Sequence, residues 1–166
     1  MRILGLDPGL LNTGWGVISI DGSQLHHVAH GVISPRPSLA MAERLTMIHR
    51  GVSDVLADQV PDQVAIEETF VSLNAASTLK LGLARGAALV AAAATGLEVS
   101  EYATRLVKKT VVGTGKAEKH QIATMIGILL PGAKAARNDA ADALAVAVCH
   151  AYHSRTLERI MAGTRT

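Results

Sequence analysis

The sequence predicts an α/β fold in which helices flank a mixed five-stranded sheet. Three apolar segments separated by tight-turn residues come first, and helical and extended segments then alternate along the chain. The 166 residues have the length of one ordinary domain. We therefore expect one folded domain over residues 1–153 and a C-terminal tail of uncertain order at residues 154–166.

The first three strands are predicted to form an antiparallel unit. Residues 2–7 form a short apolar strand that ends at a proline-glycine turn, and residues 15–20 form the second strand. Asp21-Gly22 is a strong tight-turn sequence, because aspartate and glycine both tolerate positive φ. Residues 24–33 should therefore return as the third strand, antiparallel to the second.

The next two strands alternate with helices. Behind Ser38, the predicted N-cap, apolar residues recur at helical spacing: Leu45, Ile48, Val52, Val55 and Leu56. Residues 64–67 then form a buried strand, and this crossover requires parallel pairing. An alanine-rich helix at residues 74–94 leads to a fifth strand at residues 97–102. The remaining helices are predicted at residues 105–111, 117–130 and 139–153. This order of elements matches the ribonuclease H-like plan.

Composition indicates a folded protein of the cytoplasm. Hydrophobic residues make up 49% of the chain and charged residues 18%. The longest apolar run, residues 87–94, is far shorter than the roughly 20 residues that span a bilayer, and Asp7 interrupts any hydrophobic region of a signal peptide. The single cysteine, Cys149, agrees with a reducing compartment. We therefore expect a cytoplasmic location and no membrane contact.

Charge is distributed unevenly along the chain. Residues 1–103 contain 6 Lys/Arg and 10 Asp/Glu, whereas residues 104–166 contain 10 and 4. Many ordinary proteins are equally lopsided. The pattern nevertheless suits a nuclease, which must hold phosphate and also concentrate metal cations.

Four carboxylates are predicted at the ends or beginnings of elements. Asp7 ends the first strand, Glu67 ends the fourth, and Asp139 and Asp142 share one face of the first turn of the last long helix. Asp7 and Glu67 meet if the first and fourth strands are neighbours. Such a cluster needs cations, and its hard oxygen ligands select Mg²⁺ or Mn²⁺. Two ions could activate water and stabilise both oxygens of an in-line displacement.

Each acidic segment also has an ordinary structural explanation. Asp-Pro-Gly is commonly only a turn, and the helix dipole alone favours Asp139 and Asp142 at a helix start. Glu67 could be an exposed strand end. These independent explanations do not account for the coincidence of all three segments with the correct elements of one fold, so we treat the cluster as a candidate metal site.

A basic segment and a lone phenylalanine are candidate nucleic-acid contacts. Between residues 105 and 119, one anion accompanies five cations: Arg105, Lys108, Lys109, Lys116 and Lys119. Phosphate contact and a solvated helix face both explain this segment. Phe70 lies three residues after Glu67 and either packs in the core or stacks on an unpaired base.

Other patterns predict neither a cofactor site nor a zinc site. Residues 113–116 (GTGK) superficially match a phosphate-binding loop, but Thr110 and Ala117 stand where it needs glycine and a hydroxyl residue. Adjacent histidines on a strand point to opposite faces, so we expect the histidines of the third strand at the surface: His26, His27 and His30. Cys149, within a helix, is expected to be a buried thiol.

Ordered motifs carry a resemblance to a known family. They are residues 1–10 (MRILGLDPGL) with Thr13-Gly14, 64–68 (VAIEE), 79–86 (LKLGLARG), 107–115 (VKKTVVGTG) with 117–119 (AEK), and 139–144 (DAADAL). In order and spacing this set resembles the RuvC family of Holliday junction resolvases, over roughly residues 1–153. The resemblance implies a ribonuclease H-like nuclease domain that cuts four-way DNA junctions by symmetric paired incisions in recombination and repair.

The resemblance also implies roles for individual residues and partners. Metal-binding catalytic acids would be Asp7, Glu67, Asp139 and Asp142, with two Mg²⁺ ions per subunit that Mn²⁺ can replace. DNA contacts would include Lys108 and Lys119 near the scissile phosphate, and Phe70 stacked on a base. A homodimer and a branch-migration helicase complex are the implied partners. Gly82 and Gly86 would let a second helix approach closely, although packing inside the domain also explains them.

Several choices stay open at this point. The family often has glutamine where this chain has Glu68, so either of two adjacent acids could bind metal, and we prefer Glu67. Some members have histidine at the position of Asp139. Three rival functions are an actin-like or sugar kinase-like ATPase, which normally has two domains, a non-catalytic nucleic-acid-binding relative, and a nuclease that acts on RNA.

Overall fold

Five strands and five α-helices make up the computed structural model, which describes residues 1–68, 74–133, 136 and 139–163, with side chains through Ser154. The strands are β1 (Arg2–Asp7), β2 (Thr13–Asp21), β3 (Gln24–Ile33), β4 (Gln63–Glu67) and β5 (Val99–Tyr102). The helices are α1 (Met41–Gln59), α2 (Ala75–Ala93), α3 (Thr104–Val112), α4 (Lys119–Leu129) and α5 (Asp139–Gly163), with a 3₁₀ turn at Pro131–Ala133. Every predicted strand and helix is present.

The strands form one sheet in the order β3-β2-β1-β4-β5. β1 and β3 both pair antiparallel with β2, whereas β4 lies parallel to both β1 and β5. Leu6 of β1 is opposite Ile66 of β4. The first and fourth strands are therefore neighbours, and the predicted ribonuclease H-like mixed sheet is confirmed.

Alternation along the strands divides the core into two layers. Leu4 and Leu6 of β1 pack with α1 and α2 on one face of the sheet, whereas Ile3 packs with α3, α4 and α5 on the other. Successive side chains of a strand alternate between the two faces of the sheet. Asp7 therefore shares a face with Ile3, and Glu67 shares a face with Ala65, which also packs on the α5 side. Both carboxylates therefore end their strands on the face that α5 covers.

Glycines on this face allow the backbone of α5 to lie directly on the sheet. A methyl group at Gly5 would lie 2.1 Å from the carbonyl oxygen of Ala143, and one at Gly14 would lie 1.9 Å from that of Asp139. Gly16 likewise packs against α5. Because only glycine leaves room for these contacts, the sheet fixes the position of the first turn of α5.

The start of α1 and the end of α5 differ from the predictions. The predicted N-cap Ser38 is wrong: the N-cap is Ala40, whose backbone N–H donates to the Glu43 carboxylate at 2.9 Å. This side chain satisfies an amide that would otherwise lack a partner at the helix start. α5 continues to Gly163, beyond the predicted end at residue 153. Within the described part of the chain, no helix combines the length and apolar character that a membrane crossing requires.

A β-bulge corrects the prediction for the histidines of β3. Val17 is opposite Ala29 while Ile18 is opposite His27, so one extra residue interrupts the ladder. His26 is exposed as expected. His27 and His30 are half-buried, and their rings are joined by a 2.7 Å hydrogen bond, because the bulge turns both toward the same side.

Candidate active site

The adjacent ends of β1 and β4 bring two acidic side chains together. Leu6 of β1 pairs with Ile66 of β4, and the next residue of each strand is an acid, Asp7 in β1 and Glu67 in β4. Both strands run parallel, so both carboxylates lie at the same edge of the sheet, where ligands of open α/β sheets commonly bind. The predicted meeting of these two acids is present.

The first turn of α5 adds two further carboxylates. Asp139 and Asp142 lie one helical turn apart, above the ends of β1 and β2. One carboxylate oxygen each from Asp7, Asp139 and Asp142 lie within 4.8 Å of one another, a spacing that could hold a metal ion. Glu67 is not part of this trio, but it lines one cavity with Asp7 and Asp142 and a second cavity with Asp7 and Asp139.

Burial and mutual repulsion raise the pKa values of these acids. Burial raises the pKa of Asp7 well above its ordinary value, and the charges of Glu67, Asp142 and Asp139 raise it further. Burial also raises the pKa of Glu67 and of Asp142. The site therefore carries more negative charge than its surroundings stabilise, and a bound cation would relieve the repulsion.

Lys119, the first residue of α4, partly neutralises the cluster. Its Nζ lies 3.1 Å from a carboxylate oxygen of Asp142 and 3.4 Å from one of Asp139. Burial lowers the pKa of Lys119, but Asp142, Asp139 and Asp7 raise it more, so its net shift is upward. Lys119 is therefore a fixed positive charge at the rim of the site.

Two cavities open beside the acids. One of about 170 Å³ lies between β1, β4, α3, α4 and α5 and is lined by residues that include Asp7, Glu67, Thr104, Lys108, Lys119 and Asp142. The other, of about 280 Å³, is lined by residues that include Asp7, Asn12, Glu67, Glu68, Thr104 and Asp139. Lys108 and Lys119, which the family resemblance implies as DNA contacts near the scissile phosphate, line the first cavity with the acids, and their contact with DNA stays a prediction.

The other predicted DNA contacts either do not line these cavities or lie outside the described residues. Arg105 and Lys116 are exposed and do not line either cavity. Phe70 lies outside the described residues. Glu68 lines only the second cavity and is exposed, whereas Glu67 lines both, which favours Glu67 of the two adjacent acids.

Sequence reasoning missed the side chains that support the acids. Thr104, the first residue of α3, lines both cavities beside Glu67. Burial raises the pKa of Glu67, and a hydrogen bond from the Thr104 side chain lowers it. Arg85 Nε donates to the backbone carbonyl of Glu67 at 3.3 Å, and its guanidinium also pairs with Glu101. The buried hydroxyl of Thr13 donates to the Gly9 carbonyl at 2.9 Å and so closes the loop after Asp7. Arg85 and Thr13 both lie within the motifs that carry the family resemblance, and that was the only sequence signal that could have identified them.

Comparisons with known proteins place this geometry in a family. Residues 3–150 match the family model described as crossover junction endodeoxyribonuclease RuvC. The chain belongs to this family. The relative of that name from Paramagnetospirillum magneticum is 59% identical over 96% of each chain, and the one from Azorhizobium caulinodans is 60% identical over 92% of this chain and 90% of its own.

A solved structure agrees in fold as well as in sequence. The structure of T. thermophilus RuvC in complex with Holliday junction substrate superposes with a TM-score of 0.86 at 35% identity, covering 94% of this chain and 96% of that one. The predicted family and fold class are therefore confirmed, and the chain is a nuclease of the crossover junction endodeoxyribonuclease family.

Proposed function

We propose that this chain is a divalent-metal-dependent endonuclease that resolves four-way DNA junctions by two symmetric incisions in recombination and repair. The observation that carries the proposal is the convergence of Asp7, Asp139 and Asp142, whose carboxylate oxygens lie within 4.8 Å of one another. Asp7 and Asp142 line a cavity together with Lys108 and Lys119. The T. thermophilus relative was solved with Holliday junction substrate, which supports a four-way junction as the DNA that this site cuts.

The donor set fits a hard divalent cation. All ligand atoms of the trio are carboxylate oxygens, which suit Mg²⁺ and also Mn²⁺. Burial raises the pKa values of Asp7 and Asp142, and neighbouring carboxylates raise them further, so a bound cation would stabilise both charged forms. We propose two ions per subunit, held by Asp7, Glu67, Asp139 and Asp142. Bound there, they would supply Lewis acidity to activate water and stabilise charge on the scissile phosphate.

The two lysines supply positive charge for the phosphate. Lys119 has 64% of its side chain exposed, so it can turn from Asp139 and Asp142 toward a phosphate oxygen. Lys108, on α3, lines the same cavity as Lys119. Arg105 and Lys116 extend the basic surface outward, and we keep Phe70 as the proposed stacking residue.

A salt titration tests the lysine contacts. Lys108→Ala and Lys119→Ala should each reduce cleavage and lower the slope of log affinity against log salt by about 0.9 per lost phosphate contact. Lys109→Ala is the matched control, because Lys109 is exposed on the same helix but does not line the cavity. If both variants keep the parental slope and rate, the segment is only a solvated face.

A homodimer through α2 would present two such sites to opposed strands of a nearly two-fold symmetric junction. Apolar side chains on one face of α2 are exposed: Leu79 by 67%, Leu83 by 41% and Val90 by 59%. Apart from the adjoining residues and the backbone of α2 itself, no described atom lies within 4 Å of a methyl group built on Gly82 or Gly86. This favours an intermolecular role for these glycines over packing inside the domain.

Sedimentation analysis tests the dimer. Gly86→Leu, and likewise Gly82→Leu, should crowd the contact and shift the protein toward monomer while the melting curve stays close to that of the parent. Gly127→Leu on α4 is the matched control, since its position is equally open among the described residues. A parent that sediments as a monomer with and without junction DNA would disprove the dimer.

One cleavage panel separates the proposed activity from its rivals. The protein is incubated with a four-way junction, its linear duplex and a hairpin RNA, each with and without Mg²⁺. We expect paired cuts in the junction alone, and only with Mg²⁺. Preferential cleavage of the RNA would favour an RNA nuclease, and junction binding without cleavage would favour a non-catalytic relative.

We also propose that the protein acts in the cytoplasm. The described structure shows Cys149 as a free, buried cysteine, which suits the reducing cytoplasm. A branch-migration helicase complex stays the predicted partner, and the division into a domain at residues 1–153 and a tail stays a prediction.

A further inference from the structure

The backbone of Glu67 is fixed from two sides, but its side chain needs separate support. The amide of the next residue, Glu68, donates to the Tyr102 carbonyl at 2.9 Å. Arg85 Nε donates to the carbonyl of Glu67 itself at 3.3 Å. These bonds hold the strand end in place. A glutamate side chain still has several rotatable bonds beyond Cα, so they do not determine where the carboxylate points.

Thr104 lies where it can supply this missing support. Glu67 is opposite Tyr102 in the β4–β5 ladder, and α3 begins at Thr104 immediately beyond that strand. Asp7, Glu67 and Thr104 are the residues that line both cavities of the site. Thr104 is also one helical turn before Lys108, so both face the acids from the same side of α3.

We propose that Thr104 is a positioning residue for the nuclease reaction, whose hydroxyl orients the Glu67 carboxylate toward Asp7 and Asp142. Thr104 lines both cavities beside Glu67. Burial raises the pKa of Glu67, and a hydrogen bond from the Thr104 side chain, which only its hydroxyl can donate, lowers it. One carboxylate oxygen is thereby directed to α3, which leaves the other for a cation held with the aspartates. The inference rests on the proposed metal-dependent function, because it assigns Thr104 to that same site.

When a residue that orients a metal-binding side chain is mutated, metal affinity or activity commonly falls by about 10- to 100-fold. Thr104→Val keeps the size and branching of the side chain but removes the hydroxyl donor, whereas Thr104→Ser keeps the hydroxyl and removes the methyl group. The pair therefore separates hydrogen bonding from packing. Thr104→Ala serves as a second hydroxyl-free variant if valine lowers the melting temperature.

The test measures Mn²⁺ binding to the full-length, DNA-free protein by calorimetry, together with kcat, KM for a four-way junction, and the melting temperature in EDTA. We expect Thr104→Val to bind Mn²⁺ about ten-fold more weakly and to lose kcat by about ten-fold or more, with KM unchanged. Thr104→Ser should stay close to the parent in all of these. In EDTA both variants should melt near the parent.

Two results would overturn the inference. In one, the hydroxyl-free variants bind Mn²⁺ and turn over as the parent does. In the other, Thr104→Ser is as impaired as Thr104→Val, which would mean that the methyl group matters and not the hydroxyl. A parent that neither binds Mn²⁺ nor cuts the junction would instead disprove the proposed function, so the two failures are distinguishable.

Discussion

Gly14→Ala should separate the acids of the site while adding only one methyl group to the protein. The new Cβ would lie 1.9 Å from the carbonyl oxygen of Asp139 and 2.4 Å from its carbonyl carbon. Both are backbone atoms at the start of α5, so rotation of a side chain cannot relieve the contact. The first turn of α5 must retreat by about 1 Å or more to restore ordinary van der Waals separation.

This retreat carries Asp139 and Asp142 away from Asp7. A misplacement of about 1 Å at a reacting centre can reduce a rate by about 10²-fold. Overpacking of the same contact should also lower the free energy of unfolding by about 1–3 kcal/mol. We expect the variant to fold and bind junction DNA at low temperature but to cut it about a hundred-fold more slowly.

The assay combines the cleavage rate at saturating Mg²⁺ with a denaturant melt. Gly127→Ala is the control, because a methyl group there meets no described atom within 4 Å other than those of the adjoining residues and the α4 backbone. Replacement of this helical glycine should stabilise the protein by about 0.5–1 kcal/mol and leave cleavage unchanged. A Gly14→Ala protein with the parental rate and stability would refute the close approach of α5 to the sheet.

Two further predictions concern stability. Val60 follows the end of α1 with a φ of 45°, a conformation that is costly for a β-branched residue. Val60→Gly should therefore raise the free energy of unfolding, measured by urea denaturation, by about 1 kcal/mol. An unchanged or lower urea midpoint of the variant would contradict this. Burial lowers the pKa of His150, which bonds Tyr102 and Gln63 at 2.9 Å each, below its ordinary 6.5. The unfolded chain therefore binds the proton more readily, and this contribution to stability is complete above about pH 6.5 and lost as the pH falls. Melts between about pH 5 and 8 should show this decline, with a flatter profile for His150→Gln; equal slopes for the two proteins would exclude the contribution.

The strands were predictable where a strong local pattern and a defined turn coincide. The bounds of β1 and β3 are those predicted, because apolar segments flank turn residues such as Asp21 and Gly22. The bulge in β3 could not be predicted, since it depends on how two strands pair and not on either strand alone. The start of α1 was misplaced for a similar reason: a good capping residue, Ser38, was available, but Glu43 satisfies the helix amide from inside the first turn.

The acids of the site were predictable because strand ends and helix starts are local features. Asp7 and Glu67 needed only the strand order to be brought together. Thr104 and Arg85 escaped detection because their significance depends on contacts with Glu67 that no sequence spacing expresses. Charge alone could not distinguish Lys108, which lines the cavity, from Arg105, which does not.

The metal-binding role of Asp7 is tested most directly by measuring junction cleavage and junction binding side by side for Asp7→Asn. Asparagine has nearly the same shape but removes a negative charge from a site that is crowded with Glu67, Asp142 and Asp139. We expect no detectable cleavage with Mg²⁺ or Mn²⁺, while the gel-shift affinity for the four-way junction and the melting temperature stay at or above the parental values. Cleavage at the parental rate by Asp7→Asn would contradict the carboxylate metal site at the end of β1.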